Sequence, residues 1–378
     1  MSQFILLLGN TPELSLAELQ ALLKNKEIIQ WDPHLAVIEL ENDQQAEQLQ
    51  TLLGGVYKIF KIVQVLNKDS ADEQIANYLV TQSDRPEFAL NGWKNLQNQY
   101  TPQAIKKILK KNNISCRYRQ SDQWGASSAI TEHEKDMIDL MVVEHQDEHL
   151  LLHTVAAQNV DEWVNRDRKK PYAEGHKGML PPKLARVMVN IGLGHLSAAE
   201  EAAPVLYDPF CGTGTVLIEA LLRGCSVLGS DLDHDSVAGS LENLYWLEDQ
   251  YKQKFSYQVF QSDVAHVDQR NWETKVDLIV TEPFLGKPNP KDKELKNIFK
   301  GLTSLYLGAF KSWSQILRSG AVVVIVFPFV EAKNKRHDLQ DLIDKLEKYG
   351  YTPLVKSIEY YREKAIVKRE LMIFQFKQ

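Results

Sequence analysis

The chain has 378 residues, of which 44% are hydrophobic and 25% are charged, as in an ordinary globular protein with two or three packed domains. A formal net charge of −6 excludes a protein covered with nucleic acid, so any RNA contact must come from local basic patches. Cys116, Cys211 and Cys225 have no metal-ligand spacing, and the apolar run near the N-terminus is too short for a signal or a membrane span. We therefore expect a soluble cytoplasmic protein without a metal.

Residues 1–66 alternate between strand and helix patterns. Apolar runs predict strands at Phe4–Leu8, Ala36–Leu40 and Val56–Leu66. Ser15 and Glu18 have the S-x-x-E spacing of a capping box, which predicts a helix from about Leu16, and a second helix is predicted at Asp43–Leu53. The alternation predicts a small ferredoxin-like domain over residues 1–66.

Residues 67–158 form a second predicted domain. Its predicted elements are helices at Asp72–Val80 and Pro102–Lys111, and strands at Glu87–Asn91, Ser115–Arg119 and Leu150–Ala156. The second helix carries Lys106, Lys107, Lys110 and Lys111, which are either a solvated face or an RNA contact. The order of elements resembles a THUMP domain, which implies RNA binding, and we expect it to involve Lys106, Lys107 and Lys110.

Residues 159–178 change in character and predict a linker between domains. The segment is polar, contains Pro171 and two glycines, and is basic at Arg166, Arg168, Lys169 and Lys170. These four side chains are predicted to contact RNA phosphates, with a merely solvated linker as the alternative. An amphipathic helix follows, from Met179 to about Leu196.

The segment 205–233 has the pattern of half a nucleotide-binding unit. A strand at Val205–Tyr207 leads into a turn of small residues, a helix at Val216–Leu222 and a strand at Ser226–Gly229 that ends on Asp231. A pyrophosphate-binding turn needs G-x-G-x-x-G, which is absent. Asp208 before the turn would repel phosphate and attract an ammonium group, which favours S-adenosylmethionine as the ligand.

The remaining sequence continues the alternation to the C-terminus. Predicted strands are Tyr257–Phe260, Val276–Val280 and Ala321–Phe327, predicted helices are Glu294–Leu317 and His337–Tyr349, and a closing hairpin pairs Leu354–Tyr360 with Leu371–Phe376. The fold class of residues 179–378 is therefore α/β, a Rossmann-like doubly wound sheet with a terminal antiparallel hairpin. Ligands should lie beyond the carboxyl ends of its strands.

Three segments carry a resemblance to one family. LGNTPELSLAELQALL near the start, RDRKKPYAEGHKGMLPPKLARVMVNIG from Arg166, and D-P-F-C-G-T-G-T from Asp208 are similar to the tRNA (guanine-10-N2) methyltransferase family, which joins a THUMP domain to a class I methyltransferase domain. The resemblance implies an S-adenosylmethionine-dependent enzyme that methylates the exocyclic N2 of a guanosine in tRNA. The residues expected to bind the cofactor are Asp208, Phe210, Gly212, Thr213, Gly214, Thr215, Asp231, Asp263 and Pro182.

Within this set, the acids have distinct expected roles. Asp208 faces the methionine part, Asp231 the ribose and Asp263 the adenine amine, although each could instead be a cap or turn residue. Asp233 lies at the same strand end and is the alternative to Asp231. Cys211 is interpreted as a packing residue rather than a nucleophile, because a pyrimidine-C5 methyltransferase would need its cysteine near the fourth strand.

The catalytic prediction concerns Glu282, Pro283 and Phe284, in the slot where amine methyltransferases carry Asp or Asn, two prolines and an aromatic residue. A carboxylate and the Pro283 carbonyl can accept both N–H bonds of a guanine amine, and an aromatic ring can stack on the extruded base. The sequence departs from the family, because Glu282 replaces aspartate, Phe284 the second proline and Leu285 the aromatic residue. Three interpretations stay open: an active enzyme with an altered site, a methyltransferase for rRNA or another acceptor, and a THUMP-type RNA-binding protein without activity. A small protein activator subunit and the oligomeric state also stay open.

Overall fold

The structure is a computed structural model that describes residues 2–119, 136–173, 179–197, 203–269, 274–361 and 364–378. Two compact units make up the chain. The N-terminal unit comprises Met1–Leu16 and Asn25–Val164, and the C-terminal unit comprises Ala17–Lys24 and Asn165–Gln378. Residues 120–135, which follow the predicted strand Ser115–Arg119, lie outside the described residues.

Residues 2–164 contain strands along two successive α/β segments. The strands are β1 (Ser2–Leu8), β2 (Ile29–Asp32), β3 (Leu35–Leu40), β4 (Val56–Leu66), β5 (Glu87–Gly92), β6 (Arg117–Tyr118), β7 (Ile138–His145) and β8 (Glu148–Ala157). The helices are α1 (Pro12–Leu22), α2 (Asp43–Leu52), α3 (Ala71–Gln82), α4 (Pro102–Lys111) and α5 (Val160–Val164), with a 3-10 turn at Lys94–Leu96 and a π-helical turn at Asn165–Lys169.

The ferredoxin-like order of the first segment is completed by a strand that the sequence analysis missed. Ile29–Asp32 forms β2, which pairs antiparallel with β3 and gives the order β2-β3-β1-β4. Two of its four residues are exposed and two are half-buried. A short, half-exposed edge strand of this kind leaves little apolar periodicity in the sequence.

The predicted boundary between residues 66 and 67 does not separate two compact units. Strand β4 pairs antiparallel with β8, so that β1–β4 and β5–β8 form one sheet among the described residues, in the order β2-β3-β1-β4-β8-β7-β5-β6. The predicted linker at 159–178 is also interrupted, because α5 and the π-helical turn occupy Val160–Lys169.

The predicted capping box in α1 is wrong. The helix begins at Pro12, so Ser15 and Glu18 lie inside it, and both side chains are buried. The Ser15 hydroxyl accepts a hydrogen bond from the Gly9 N–H at 3.2 Å and donates to the Gly55 carbonyl at 2.6 Å. Tertiary hydrogen bonds, rather than the helix start, therefore use these polar groups.

The C-terminal unit contains a second set of elements. Its strands are β9 (Val205–Asp208), β10 (Ser226–Asp231), β11 (Tyr257–Gln261), β12 (Val276–Thr281), β13 (Leu317–Ala332), β14 (Lys335–His337), β15 (Tyr351–Pro353), β16 (Ile358–Tyr360) and β17 (Lys368–Phe376). Its helices are α6 (Pro182–His195), α7 (Thr215–Leu221), α8 (His234–Tyr251), α9 (Asp292–Ile316) and α10 (Gln340–Leu346), with 3-10 turns at Val264–Gln269 and Glu347–Tyr349.

The second sheet has the predicted doubly wound order. Its path is β11-β10-β9-β12-β13-β17-β15, in which β9 to β13 run parallel and β17 lies antiparallel between β13 and β15. Strand β16 also pairs with β17. The strand order reverses at β9, so the carboxyl ends of β9, β10 and β12 meet at the switch point where such sheets bind ligands. The α/β prediction is confirmed.

One long element of this unit was missed entirely. Helix α8 follows β10 and is capped by Asp233, whose carboxylate accepts a hydrogen bond from the Asp235 N–H at 3.1 Å. Its sequence alternates polar and apolar residues without a strong stripe. None of the described helices has an apolar stretch long enough to cross a lipid bilayer.

Candidate active site

The turn between β9 and α7, residues 208–215, is shaped by two glycines in the left-handed region. Gly212 has φ of 49° and Gly214 has φ of 78°, conformations that other residues adopt only with strain. A Cβ on Gly214 would also lie 2.5 Å from the Ser240 hydroxyl of α8. A side chain at either position would therefore strain this turn, and one at position 214 would also collide with α8.

Asp208 lies at the end of β9 and is completely buried. Its Oδ1 accepts hydrogen bonds from the Phe210 N–H at 3.1 Å and from the Thr281 hydroxyl at 2.7 Å, whereas Oδ2 has no hydrogen bond within the described residues. Burial raises the pKa of Asp208 to about 7, although both hydrogen bonds lower it, and the charges of Asp231 and Glu282 raise it further. A buried carboxylate with one unused oxygen is suited to a cationic ligand group.

Asp231 and Asp233 separate into different roles at the end of β10. Asp231 Oδ2 accepts the Gly212 N–H at 3.0 Å, so this carboxylate borders the glycine turn. Asp233 caps α8 and also accepts from the Ser236 hydroxyl. This geometry favours Asp231 over Asp233 as the ribose ligand, since an oxygen of Asp231 retains a second lone pair beside the turn.

Asp263 is exposed beyond the end of β11. Its carboxylate accepts the Ala265 N–H at 2.9 Å and contacts His266, so it also serves as the cap of the following 3-10 turn. These capping contacts do not test the predicted contact of Asp263 with adenine, which stays a prediction. Pro182, the first residue of α6, is buried, and its predicted contact also stays a prediction.

The polar residues of the turn itself are joined to a buried lysine. Lys170 Nζ donates to the hydroxyls of Thr213 and Thr215, at 3.1 and 2.8 Å, and is 4% exposed. Burial lowers the pKa of Lys170 to about 8, whereas the nearby acids Asp167 and Glu219 raise it. Among the described residues it has no ion-pair partner within bonding distance.

This placement overturns half of the predicted phosphate-binding set. Arg166 is 4% exposed and pairs with buried Glu219, at 2.8 Å between Nε and Oε1. Like Lys170, it therefore faces the protein interior rather than a solvent-exposed RNA backbone. Arg168 and Lys169 are exposed and stay candidates.

The chain near Lys170 is fixed by a second contact. The backbone of Tyr172 exchanges two hydrogen bonds with the Asn243 side chain, both at 2.9 Å, and Asn243 also donates to the Thr213 carbonyl at 2.8 Å. The Tyr172 ring packs where Gly239 has no side chain. A segment predicted to be a linker is thus part of the wall of the glycine turn.

Residues Glu282–Leu285, which we call the acceptor segment, follow directly on β12. Strands β9 and β12 are neighbours, and the Thr281–Asp208 hydrogen bond joins their carboxyl ends. Pro283 is buried, and no described group donates to its carbonyl. The Phe284 side chain is 63% exposed, whereas its carbonyl is held by the Tyr306 hydroxyl at 2.8 Å. The two predicted motifs are therefore brought together at one edge of the sheet.

Two further residues near the acceptor segment were missed by the sequence analysis. Arg369 of β17 donates from Nε to Glu282 Oε1 at 2.6 Å. Tyr360 of β16 lies opposite Arg369 in the antiparallel pair, and its buried hydroxyl has no hydrogen-bond partner within the described residues. No local motif marks either residue, because they reach Glu282 only through the pairing of β17 with β13.

The remaining predicted residues are placed as follows. Cys211 is buried, and burial raises the pKa of its thiol well above the ordinary value, which disfavours a nucleophile and fits the packing interpretation. In the N-terminal unit, Lys107 and Lys110 are exposed on α4, opposite buried Ile105 and Leu109. Lys106 lies over the Tyr118 ring, with Nζ 5.1 Å from its centroid.

The sheet order, the glycine turn and the acidic strand ends define the C-terminal unit as a class I methyltransferase fold. The whole chain matches TrmN from Thermus thermophilus, with a TM-score of 0.58 and 13% identity over 99% of each chain. A possible methylase from Clostridium difficile 630 matches with a TM-score of 0.54 and 13% identity, over 100% of this chain and 98% of the other. At these identities the likeness concerns the fold alone.

Sequence comparison places the chain more closely. Residues 170–349 match a family described as RMKL-like, methyltransferase domain. A probable tRNA (guanine(10)-N2)-dimethyltransferase of Methanothermococcus thermolithotrophicus is 30% identical over 183 residues, which are 48% of this chain and 98% of that relative. The chain belongs to the tRNA (guanine(10)-N2)-dimethyltransferase family, which confirms the resemblance seen in the sequence. This membership implies S-adenosylmethionine as the methyl donor.

The longer relatives are matched over part of their length. A tRNA (guanine(10)-N2)-dimethyltransferase of Methanocaldococcus jannaschii is 30% identical over 226 residues, which are 57% of this chain and 56% of that protein. Across three such relatives, the chain spans between 31% and 56% of their length.

Proposed function

We propose that this chain transfers a methyl group from S-adenosylmethionine to the exocyclic N2 of a guanosine in tRNA. One observation carries the proposal: the Thr281–Asp208 hydrogen bond, 2.7 Å long, joins the acceptor segment to the glycine turn. A ligand held by the turn and a base held by the acceptor segment would therefore meet at the switch point of the sheet. The names of the relatives support guanine N2 and tRNA as the acceptor.

The residues of the turn fit the chemistry of the cofactor. Asp208, with its unused Oδ2, would hold the ammonium group of the methionine part, and Asp231 would accept from the ribose diol. Lys170 adds a buried positive charge that complements the methionine carboxylate. When bound, S-adenosylmethionine supplies a methyl group on a sulfonium sulfur that leaves as a neutral thioether.

The acceptor segment would hold and activate the amine. The guanine N2 lone pair is delocalised into the ring, which makes it a poor nucleophile. Acceptance of its two N–H bonds by Glu282 Oε2 and the Pro283 carbonyl draws the nitrogen towards tetrahedral geometry, with its lone pair directed at the methyl group. The Glu282 carboxylate stabilises the developing positive charge and takes the proton that the nitrogen loses. The exposed Phe284 ring offers a stacking surface for the extruded base.

Basic side chains of both units would bind the tRNA through its phosphates. The proposal assigns this role to a THUMP-like region with Lys106, Lys107 and Lys110 of α4, and to Arg168 and Lys169 after α5. Lys107, Lys110, Arg168 and Lys169 are exposed, and this exposure, together with the amphipathic face of α4, supports the assignment. Phosphate contacts of this kind give affinity and orientation without sequence readout. Such an activity on tRNA belongs in the cytoplasm, the compartment expected from the cysteines.

The test is methyl transfer from radiolabelled S-adenosylmethionine into bulk tRNA and, separately, into bulk rRNA. The proposal predicts label in tRNA and little in rRNA. Label mainly in rRNA would mean that rRNA, rather than tRNA, is the substrate. Binding of tRNA without label would indicate an RNA-binding protein without methyltransferase activity. If label enters tRNA only after a small activator subunit is added, the substrate assignment stands and the chain acts as part of a complex.

A further inference from the structure

The Glu282 carboxylate is held by an arginine from a distant strand. Arg369 lies 87 residues further along the chain, on β17, and its Nε lies 2.6 Å from Glu282 Oε1. The Glu282 side chain is 14% exposed and that of Arg369 36%. Burial would lower the pKa of Arg369, but contact with the Glu282 carboxylate raises it above the ordinary value. The pair is thus a partly desolvated, charge-assisted hydrogen bond rather than a solvated surface contact.

Only one oxygen of Glu282 is used by this pair. Oε2 has no hydrogen bond within the described residues. A carboxylate anchored through Oε1 loses most of its rotational freedom, and its second oxygen is left in a fixed position. Burial raises the pKa values of Asp208, Tyr306 and Tyr360, and the charge of Glu282 raises each of them further.

Glutamate has one more methylene group than aspartate and therefore one more torsion to restrain. In water such a side chain samples many rotamers, and fixing it costs conformational entropy at the moment of reaction. A guanidinium group that binds Oε1 beforehand removes this cost, because the geometry is already selected. Tyr360 is directly opposite Arg369 in the β16–β17 pair, and side chains at paired positions lie on the same face of a sheet.

We propose that Arg369 is a positioning residue for methyl transfer, which fixes Glu282 through Oε1 and leaves Oε2 to accept the amine of the guanine. The inference rests on the proposed function of the acceptor segment. The alternative is that Arg369 inhibits transfer: an arginine that neutralises Glu282 would weaken the stabilisation of the developing cation and slow the reaction. The two roles predict opposite changes in rate when Arg369 is removed.

The experiment compares single-turnover methyl transfer to tRNA by wild type, Arg369→Gln and Arg369→Lys. We expect Arg369→Gln to lower the rate constant roughly tenfold to a hundredfold, since a misplaced group of this kind costs about that much. Arg369→Lys should recover part of the loss, and the KM for tRNA and calorimetric cofactor affinity should change little. A faster or unchanged Arg369→Gln enzyme would overturn the inference.

Arg336→Gln is the matched control. Arg336 lies on β14 and pairs with Glu359 and Glu370 of the same C-terminal strands, at 2.5 and 2.8 Å, rather than with Glu282. Its loss should leave the rate constant near that of wild type. An equal loss in both variants would mean that the hairpin as a whole, rather than the Arg369 contact, supports activity, and would overturn the inference.

A double-mutant cycle separates positioning from a structural effect. The shorter side chain of Glu282→Asp should not reach Arg369, so Arg369→Gln should cost far less in that background than in wild type. Equal costs in the two backgrounds would contradict the inference. Wild-type transfer is measured first: if it is absent, the proposed function fails, whereas wild-type transfer with additive effects in the cycle overturns this inference alone.

Discussion

The two halves of the candidate site are built differently. From Asp208 to Asp231 the glycine turn is closed by nearby residues, such as Phe210 with Asp208 and Gly212 with Asp231. The acceptor segment instead depends on distant partners, since Glu282 is held by Arg369 and the Phe284 carbonyl by Tyr306. The backbone of the first half is therefore shaped largely by contacts within residues 208–231, with further hydrogen bonds from Lys170, Asn243 and Thr281. The second half depends on contacts with β17 and α9. Substitutions in the first should affect cofactor binding, and those in the second should affect transfer.

The largest expected effect is the loss of methyl transfer on substitution of Glu282 in the acceptor segment. Glu282→Gln keeps the volume and one acceptor oxygen but removes the charge that balances the developing cation. Methyl transfer to tRNA should fall on the order of a hundredfold or more, with cofactor affinity by calorimetry close to wild type. Glu331→Gln, at an exposed glutamate paired with Lys368, is the control and should be active. A wild-type rate for Glu282→Gln would mean that the acceptor site lies elsewhere.

Asp208→Asn tests the role of the glycine turn in cofactor binding. The new Oδ1 can keep both existing hydrogen bonds, whereas an amide group replaces the Oδ2 that would face the cofactor ammonium. Affinity for S-adenosylmethionine should fall roughly tenfold or more, as expected for loss of a charged acceptor. The control is Asp249→Asn, which changes an exposed carboxylate paired with Lys252. Unchanged affinity in Asp208→Asn would remove Asp208 from the cofactor site.

The pH dependence of the same residue gives a second test. Because burial raises the pKa of Asp208 to about 7, its carboxylate forms as the pH rises from about 6 to 8, and cofactor affinity of wild type should rise over that range. The raised pKa also means that the ligand-free fold loses stability as the pH rises towards 7. Asp208→Asn should therefore bind weakly at every pH and, without ligand, unfold at a higher temperature than wild type at pH 8. Parallel pH profiles for the two proteins would contradict this account.

Phe284→Ala tests whether the acceptor segment binds the extruded base by stacking. The exposed ring has no described packing role that would make its loss destabilising, and stacking on a base is worth about 1–3 kcal/mol. We expect a roughly tenfold loss of transfer efficiency on tRNA with normal cofactor affinity. Tyr245→Ala, which removes an aromatic side chain that is 61% exposed on α8, provides the control. Equal activity of Phe284→Ala and wild type would exclude stacking on this ring.

The smallest expected effects concern RNA phosphates. Replacing Lys107 and Lys110 with Gln should reduce the slope of tRNA affinity against salt by about one for each phosphate that the protein no longer neutralises. Arg168→Gln with Lys169→Gln should act in the same way. Cofactor affinity should not change in either double variant. A salt slope equal to that of wild type would mean that these residues do not contact RNA phosphates and are simply solvated.

Sequence patterns predicted most of what is local. Apolar strands, the glycine turn and the start of α4 at Pro102 each depend on residues a few positions apart, so their elements lie close to the predicted ranges. The capping box of α1 failed because Ser15 and Glu18 are used by tertiary hydrogen bonds instead. Helix α8 was missed because its pattern carries no strong apolar stripe.

Site residues could be predicted only where neighbouring residues in the sequence identify their role. Asp208, Asp231 and Glu282 are marked by their position after apolar strands. The prediction for Arg166 and Lys170 was wrong because charge alone does not reveal a buried partner, and here the partners are Glu219 and the two threonine hydroxyls. Arg369 could not be assigned at all, since its contact depends on the order of strands in the sheet.

The central claim is that the glycine turn and the acceptor segment form one site for guanine N2 methylation. The most direct measurement is nucleoside analysis of tRNA after reaction with labelled S-adenosylmethionine, for wild type and Glu282→Gln at matched cofactor saturation. The account predicts label in N2-methylated guanosine with wild type and its near absence with Glu282→Gln. Label in any other nucleoside, or equal N2-methylguanosine from both proteins, would contradict it.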